Sequence, residues 1–312
     1  MNEPQTAASE ETTAANAHRD TARAHAFGLA AMLGTTLVVP LMGMSVKLLA
    51  DQGLGAISTM ALRSLGVLAL FLPLLFWRSN RRAIVEADKP AHFWHAVFGL
   101  SSMACFYYGL AFLPLVVVTS INFTTPIFVM LLAIPFLSER PDVKAFGAAG
   151  IGFFGTVLAL GPMAATVSTA AAVVLLGAFL TACMILAIRK MPAKSTHFAV
   201  LFYYAALGTV VFGILGLITA SPEEWATLRH PYTWALLAMI SAFACLLQFL
   251  LTIAYRLAMS SSIAALDYLR LIWAGGIGWI IFGEWPTPLA MVGMALIIAS
   301  GIWLILHQKR GR

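Results

Sequence analysis

Two opposite charges lie three residues apart within a long apolar run, in the stretch ALDYLRLIW at residues 265–273. Residues at positions i and i+3 of a helix share one face, so Asp267 and Arg270 are predicted to be neighbours. A charge at the centre of a bilayer costs about 3 kcal/mol on insertion scales, so such residues face a wet cavity or pair with each other. A carboxylate beside a guanidinium can hold both charged groups of a zwitterionic substrate. A self-satisfied pair that pins helices together is the alternative, and the sequence leaves both open.

Other polar side chains in the apolar runs are further candidates for substrate binding. Arg63 suits a carboxylate because of its planar donor fork, although a long basic side chain can also extend to the lipid headgroups. Lys47 lies near the end of the first apolar run, where extension to the headgroups is the better interpretation. Tyr108 and Gln248 are predicted pocket residues, and Trp273 can stack on a planar substrate. Packing is the alternative role for the two aromatic residues.

Residues that usually build metal and catalytic sites are few and scattered. The three cysteines lie in separate apolar runs without a CxxC pair, so we expect neither a disulfide nor a metal site. His92 and His95 are three residues apart, but no carboxylate follows at the spacing of a zinc site. We therefore expect no cofactor and no catalytic residue, and a membrane-embedded enzyme is a remote alternative.

The composition places these residues in a membrane protein. Of the 312 residues, 61% are hydrophobic and 10% are charged, whereas a soluble domain is about 25% charged. Repeated apolar stretches of about 20 residues indicate transmembrane helices. The net charge of +6 comes from basic residues scattered through short loops, so we expect no nucleic-acid partner.

We predict an all-α integral membrane protein with ten transmembrane helices. Residues 1–25 contain no apolar periodicity and are predicted to be a disordered cytoplasmic tail. Residues 308–312 are predicted to be a basic C-terminal tail. The predicted spans are 28–50, 56–77, 91–113, 115–137, 143–161, 168–188, 198–220, 233–255, 260–282 and 286–307.

The distribution of basic residues predicts the orientation. If the N-terminus is cytoplasmic, 15 of the 19 Lys and Arg residues fall in cytoplasmic segments, and only Arg229 falls in an outer loop. Positive charge concentrates on the cytoplasmic side of membrane proteins. Both termini are therefore predicted to be cytoplasmic, which also requires an even number of spans.

The two halves of the chain repeat each other. Four residues of the third span recur 140 residues later in the eighth: Trp94, Ser101, Ala104 and Cys105 match Trp234, Ser241, Ala244 and Cys245. Glu139 and Pro141 recur 145 residues later as Glu284 and Pro286. The first repeat is predicted to cover residues 26–161 and the second 162–307. Because each holds five spans, the second enters the membrane inverted, as in many secondary transporters.

The repeat adds candidates to the central site. Under the 145-residue offset, Asn122 corresponds to Asp267 and Thr125 to Arg270, so the four side chains are predicted to meet. Backbone hydrogen bonding is the alternative for Thr125. Other repeated features are predicted to be structural. Each of the two glutamates is expected to cap the helix that follows it, and four glycines of the fifth span are expected to allow close helix contact: Gly147, Gly150, Gly152 and Gly155.

Two stretches carry a resemblance to a known family. The run LPLVVVTSINFTTPIFVMLLAIPFLSERPDVKAFGAAGIGFFGTVLAL and its echo GEWPTPLAMVGMALIIASGIWLIL resemble the paired EamA domains of the drug/metabolite transporter superfamily. The resemblance covers about residues 26–307. The superfamily includes bacterial amino-acid exporters of the YddG type and S-adenosylmethionine carriers. The runs LRSLGVLAL and LDYLRLIW are most similar in local pattern to the carriers.

The residues and the resemblance together predict a function. We expect an inner-membrane secondary transporter that moves small polar metabolites by alternating access and exports amino acids, aromatic ones included, or their derivatives. A carrier of S-adenosylmethionine or nucleoside-like metabolites is the alternative. The expected partners are a small zwitterionic metabolite and membrane lipids. Protons are a further expected partner if Asp267 relays protons.

Overall fold

The computed structural model describes residues 4–137, 143–160, 168–189, 196–257 and 266–308, and this part of the chain is helical without a strand. In chain order the helices are α1 Pro4–Asp51, α2 Ala56–Phe71, a 3-10 helix Leu72–Phe76, α3 Arg78–Val85, α4 Lys89–Phe112, α5 Leu115–Asn122, α6 Thr125–Leu137, α7 Val143–Leu160, α8 Ser168–Arg189, α9 His197–Thr219, α10 Pro222–Thr227, α11 Pro231–Leu257, α12 Leu269–Phe282 and α13 Pro288–Gln308.

Seven helical segments among the described residues are long and apolar enough to cross a membrane. They coincide with predicted spans one to four and six to eight. Shorter apolar helices, at Gly150–Ala159, Leu269–Phe282 and Pro288–Ser300, coincide with predicted spans five, nine and ten. The all-helical membrane class is confirmed, and the count of ten stays a prediction.

Helix α1 differs from the predicted N-terminal tail. It begins at Pro4 and runs without a break to Asp51, although the sequence predicts disorder over residues 1–25. Alanine, the strongest helix former, recurs through this segment and accounts for the helical backbone. The basic residues 309–312 lie outside the described part of the chain.

Polar side chains fix the starts of several helices by accepting a backbone N–H that the helix leaves unpaired. Thr196 accepts from Ala199 at 3.2 Å at the start of α9. Ser221 accepts from Glu224 at 3.2 Å at the start of α10. These caps define where the chain turns between neighbouring helices.

The most extensive helix contacts pair the two predicted halves. Helix α1 packs against α11, α2 against α9, α4 against α8 and α7 against α13. In terms of predicted spans these are pairs 1–8, 2–7, 3–6 and 5–10. If each span is replaced by the span five positions away, pairs 1–8 and 3–6 exchange and pairs 2–7 and 5–10 stay the same. The packing pattern is therefore the one expected for two halves related by a pseudo-twofold axis.

Glycine allows the closest of these approaches, between α7 and α13. A Cβ atom on Gly155 would lie 2.7 Å from the carbonyl oxygen of Gly293, and one on Gly293 would lie 2.4 Å from the carbonyl oxygen of Gly155. A Cβ atom on Gly152 would lie 2.8 Å from Ser300 Oγ. The predicted contact role is confirmed for these two glycines of α7, whereas Gly150 has nothing within 4 Å.

Candidate functional site

The fourth predicted span is discontinuous. Helix α5 ends at Asn122 and α6 begins at Thr125. Pro126 has no N–H to donate to Asn122, and its ring clashes with a helical carbonyl at that position. The backbone tightens into i→i−3 bonds instead, with Phe123 N donating to Ser120 O at 3.1 Å and Thr124 N to Ile121 O at 3.0 Å.

The ninth predicted span is interrupted at the equivalent position. Leu266 and Asp267 are helical, Tyr268 forms a turn, and α12 begins at Leu269. Leu271 N donates to Tyr268 O at 3.1 Å, again an i→i−3 bond. Tyr268 is the residue that corresponds to Phe123 under the 145-residue offset of the repeat. No proline lies next to this second interruption, so no local pattern predicts it.

The two interruptions meet. The rings of Phe123 and Tyr268 stack with their centroids 5.0 Å apart and their planes 19° apart. The guanidinium carbon of Arg270 lies 5.9 Å from the centroid of the Phe123 ring, within the range of a cation–π contact. The charged pair therefore lies beside the crossing of two broken helices.

Asp267 and Arg270 form the predicted ion pair. Arg270 Nη2 donates to Asp267 Oδ1, and the two side chains remain about a quarter exposed, 24% for Arg270 and 29% for Asp267. Arg270 Nε is buried and has no hydrogen-bond partner among the described residues. The pair thus satisfies itself only in part, and it retains a donor for a ligand.

Asn122 and Thr125 bond to backbone instead of to the charged pair. The Asn122 amide donates to Val118 O at 3.3 Å within α5. The buried Thr125 hydroxyl is directed at Ala178 O of α8, at 3.4 Å. The structure gives Thr125 the backbone-bonded position that the sequence left as its alternative. A direct role for either residue in substrate binding stays a prediction.

The three remaining predicted pocket residues lie on three different helices, α4, α11 and α12. Tyr108 is 37% exposed and its ring lies 4.9 Å from that of Phe112, and Trp273 is 43% exposed. Gln248 is half-buried on α11. The substrate-binding role of these three side chains stays a prediction.

Arg63 does not extend to the headgroups. Its side chain is buried, with the residue only 7% exposed, and its guanidinium lies beside the Tyr204 phenol. The Tyr107 phenol is also adjacent to this guanidinium. Neither tyrosine was predicted as a site residue from the sequence, because aromatic residues commonly serve as packing residues in membrane helices.

Lys47 and Glu284 correct two further interpretations. Lys47 pairs with Glu284 and donates to Leu113 O at 3.2 Å, so its side chain does not extend to the headgroups. Glu284 accepts from Leu115 N at 3.2 Å and thus caps α5. The helix that follows Glu284, α13, is capped by Thr287, whose Oγ1 accepts from Ala290 N at 3.1 Å. Glu139, the other predicted cap, lies outside the described residues.

Within the described residues, no three His, Cys, Asp or Glu side chains converge as metal ligands would. The three cysteines are free and half-buried. What the arrangement can do chemically is bind a charged or aromatic molecule at the crossing of the broken helices.

Comparison with known proteins gives a family match over almost the whole chain. The model of the EamA-like transporter family matches residues 26–161 and matches again over residues 168–306.

Curated relatives are transporters of different metabolites. The pseudopaline exporter CntI of Pseudomonas aeruginosa (strain UCBPP-PA14) is 27% identical over 250 residues, which are 79% of this chain and 84% of the relative. The S-adenosylmethionine uptake transporter of Rickettsia bellii is 28% identical over 213 residues, 68% and 70% of the two chains. The riboflavin transporter of Brucella anthropi is 26% identical over 242 residues, 78% and 85%.

A protein of known crystal structure has a similar fold. It aligns with a TM-score of 0.59 at 17% identity and covers 93% of this chain and 99% of its own.

Proposed function

This chain belongs to the EamA-like transporter family, and on that premise we propose that it is an inner-membrane secondary transporter that moves small polar metabolites by alternating access. The family assignment and the apolar helices make it a multi-pass membrane transporter. The topology, the substrate class and the direction of transport belong to the proposal.

Four observations support two inverted five-span repeats. The family model matches each half, the helix pairing maps onto itself when the halves are exchanged, and sequence matches recur at offsets of 140 and 145 residues. The interruptions at Phe123 and Tyr268 are equivalent under the second offset. Transporters with inverted repeats bind substrate where discontinuous helices meet.

The observation that carries the function is the position of the Asp267–Arg270 pair beside the Phe123–Tyr268 stack. A zwitterion can open this pair, because its ammonium replaces Arg270 at the carboxylate and its carboxylate replaces Asp267 at the guanidinium. The exchange keeps every charge partnered, which a low-dielectric site requires. Amino acids and their derivatives meet this requirement, and a planar group on the substrate gains a ring contact.

Export of amino acids or derivatives is the favoured activity. Among the relatives one is named an exporter and another an uptake transporter, so direction is tested separately from substrate. The second candidate is an S-adenosylmethionine or nucleoside-like metabolite, favoured by the relatives of that name and by the aromatic stack.

The test is counterflow in proteoliposomes that contain the purified full chain. Liposomes preloaded with unlabelled amino acid should accumulate the labelled compound transiently, and a parallel series uses S-adenosylmethionine and riboflavin. A passive channel shows no counterflow, and movement of only a non-zwitterionic compound overturns the proposed substrate class. Asp267→Asn and Arg270→Gln should each lower counterflow at least a hundredfold, with Gly150→Ala, at an exposed position, as the matched control.

A further inference from the structure

Arg63 is a buried cation on a different helix from the charged pair of the ninth span. Arg63, on α2, is 7% exposed, and its Nε has no hydrogen-bond partner. The groups that interact with its guanidinium are the phenols of Tyr107 and Tyr204 and the thiol of Cys245. Within the described part of the chain, no carboxylate pairs with it.

An isolated buried charge is costly. Removing a charged group from water without a counter-charge costs several kcal/mol, and proteins normally pair such a group or let it bind a ligand. Arg63 cannot lose its proton to escape this cost, because the guanidinium stays charged in proteins. The missing group is therefore an anion.

The Tyr107 phenol, beside Arg63, also lacks a partner. Tyr107 is 1% exposed, and its hydroxyl has no hydrogen-bond partner among the described residues. Arg63 Nε–H and the Tyr107 hydroxyl are both donors, and each lacks an acceptor. Tyr204 adds a second phenol beside the guanidinium. Two free donors beside one positive charge match an acceptor that carries one negative charge and two oxygen atoms.

Charge balance selects the class of anion. One guanidinium among neutral phenols and a thiol is neutralised by a monoanion, whereas a phosphate dianion would leave an unbalanced buried negative charge. The planar guanidinium fork also matches the two oxygens of a carboxylate. The residues of this cluster come from helices of both predicted halves, since α2 packs against α9 and α11, and α4 packs against α9. A site between repeats is where inverted-repeat transporters bind substrate.

We propose that Arg63, Tyr107 and Tyr204 form a second ligand site, a carboxylate site that binds organic acids independently of the Asp267–Arg270 pair. The proposal rests on the proposed transport function only in taking this carboxylate to belong to a transported molecule. A substrate of this protein then carries a carboxylate, and its amide analogue is excluded.

The test measures binding to the full chain in nanodiscs, with benzoate as the probe and benzamide as its uncharged isostere. Benzoate should bind to the wild type and to Asp267→Asn, and benzamide should not bind. Arg63→Gln should abolish benzoate binding, and Arg63→Lys should weaken it about tenfold or more, because the lysine keeps the charge but loses the fork. Binding that is lost in Asp267→Asn and retained in Arg63→Gln overturns the proposal. So does equal binding of phosphate or chloride, or the absence of benzoate binding to the wild type.

Tyr107→Phe separates ligand binding from a purely structural role. The hydroxyl has no partner in the described structure, so its removal should leave the thermal midpoint of the ligand-free protein unchanged or higher. Benzoate affinity should fall about tenfold. A lower midpoint with unchanged benzoate affinity would assign the hydroxyl to folding and overturn its place in the site. Benzoate binding is measured without transport. A failure of the counterflow assay would therefore overturn the proposed transport function without affecting the test of this site.

Discussion

Phe123 and Tyr268 occupy equivalent positions in the two halves of the chain and stack on each other with their ring centroids 5.0 Å apart. Two equivalent residues can touch in this way only close to the axis that relates the halves. Each also lies where its own helix is interrupted. The stack therefore joins the two interruptions, and Arg270 contacts it directly.

Removal of the stack should impair transport. Phe123→Ala and Tyr268→Ala should each lower the initial rate of counterflow about tenfold, since an aromatic pair contributes about 0.5–1.5 kcal/mol beyond its buried area. Tyr268→Phe keeps the ring and should retain most of the wild-type rate. Wild-type rates in both alanine variants, at equal amounts of reconstituted protein, would show that the stack has no part in transport.

The carboxylate of the charged pair should be required for zwitterion transport. Asp267→Asn keeps the size of the side chain but leaves Arg270 without its counter-charge, so counterflow should fall at least a hundredfold. Asp267→Glu keeps the charge and should retain measurable transport. If Asp267 also relays protons, the pH dependence of the wild-type rate should disappear in the residual activity of Asp267→Asn. The same pH profile in both proteins would contradict the proton role.

Breaking the Lys47–Glu284 pair should lower stability. The two side chains are only 12% and 21% exposed, and Glu284 also caps α5. Loss of either partner leaves the other charge poorly compensated, so Lys47→Met and Glu284→Gln should each lower stability by about 2 kcal/mol. Thermal unfolding in detergent measures this loss. The double variant should be less destabilised than the sum of the two single variants, and strict additivity would show that the pair does not interact.

A large side chain at Gly155, where α7 and α13 approach each other most closely, should prevent the two helices from packing. Gly155→Leu would drive a side chain into the backbone of Gly293 and should abolish the folded, monodisperse protein. Gly150→Leu, on the same helix but with nothing within 4 Å, should be neutral. Size-exclusion profiles of the two proteins provide the comparison. Similar profiles would contradict the close approach.

The predicted orientation can be tested by cysteine labelling in a background in which the three native cysteines are replaced. A cysteine at His230, beside Arg229, should react with a membrane-impermeant maleimide in intact cells. A cysteine at Ser79, in the basic segment after the second span, should react only after lysis. The reverse pattern would show that the termini lie outside the cell.

Apolar run length predicted the helices because it is a local property of the chain. The predicted membrane orientation depends on the positions of basic residues along the chain, which are also a local property. The interruption at Phe123 has a local cause in Pro126, whereas no proline accompanies the one at Tyr268. The partnership of Lys47 with Glu284 spans 237 residues, so only folding reveals it.

The placement of Tyr108 and Trp273 was harder to predict for a different reason. Helices in a membrane are apolar on all sides, so composition does not distinguish the face that meets lipid from the face that meets protein. Both side chains are more than a third exposed. Arg63 shows the opposite case, since a charge in an apolar helix is confined to the interior or the headgroups and the structure places it in the interior.

The helix pairing has a consequence for how the protein is made. Each of the most extensive contacts joins a helix from before residue 161 to one from after it. During synthesis the first five predicted spans therefore leave the ribosome without their principal neighbours. In the folded protein α13 packs on α7, so the contacts of the fifth predicted span are completed by the tenth.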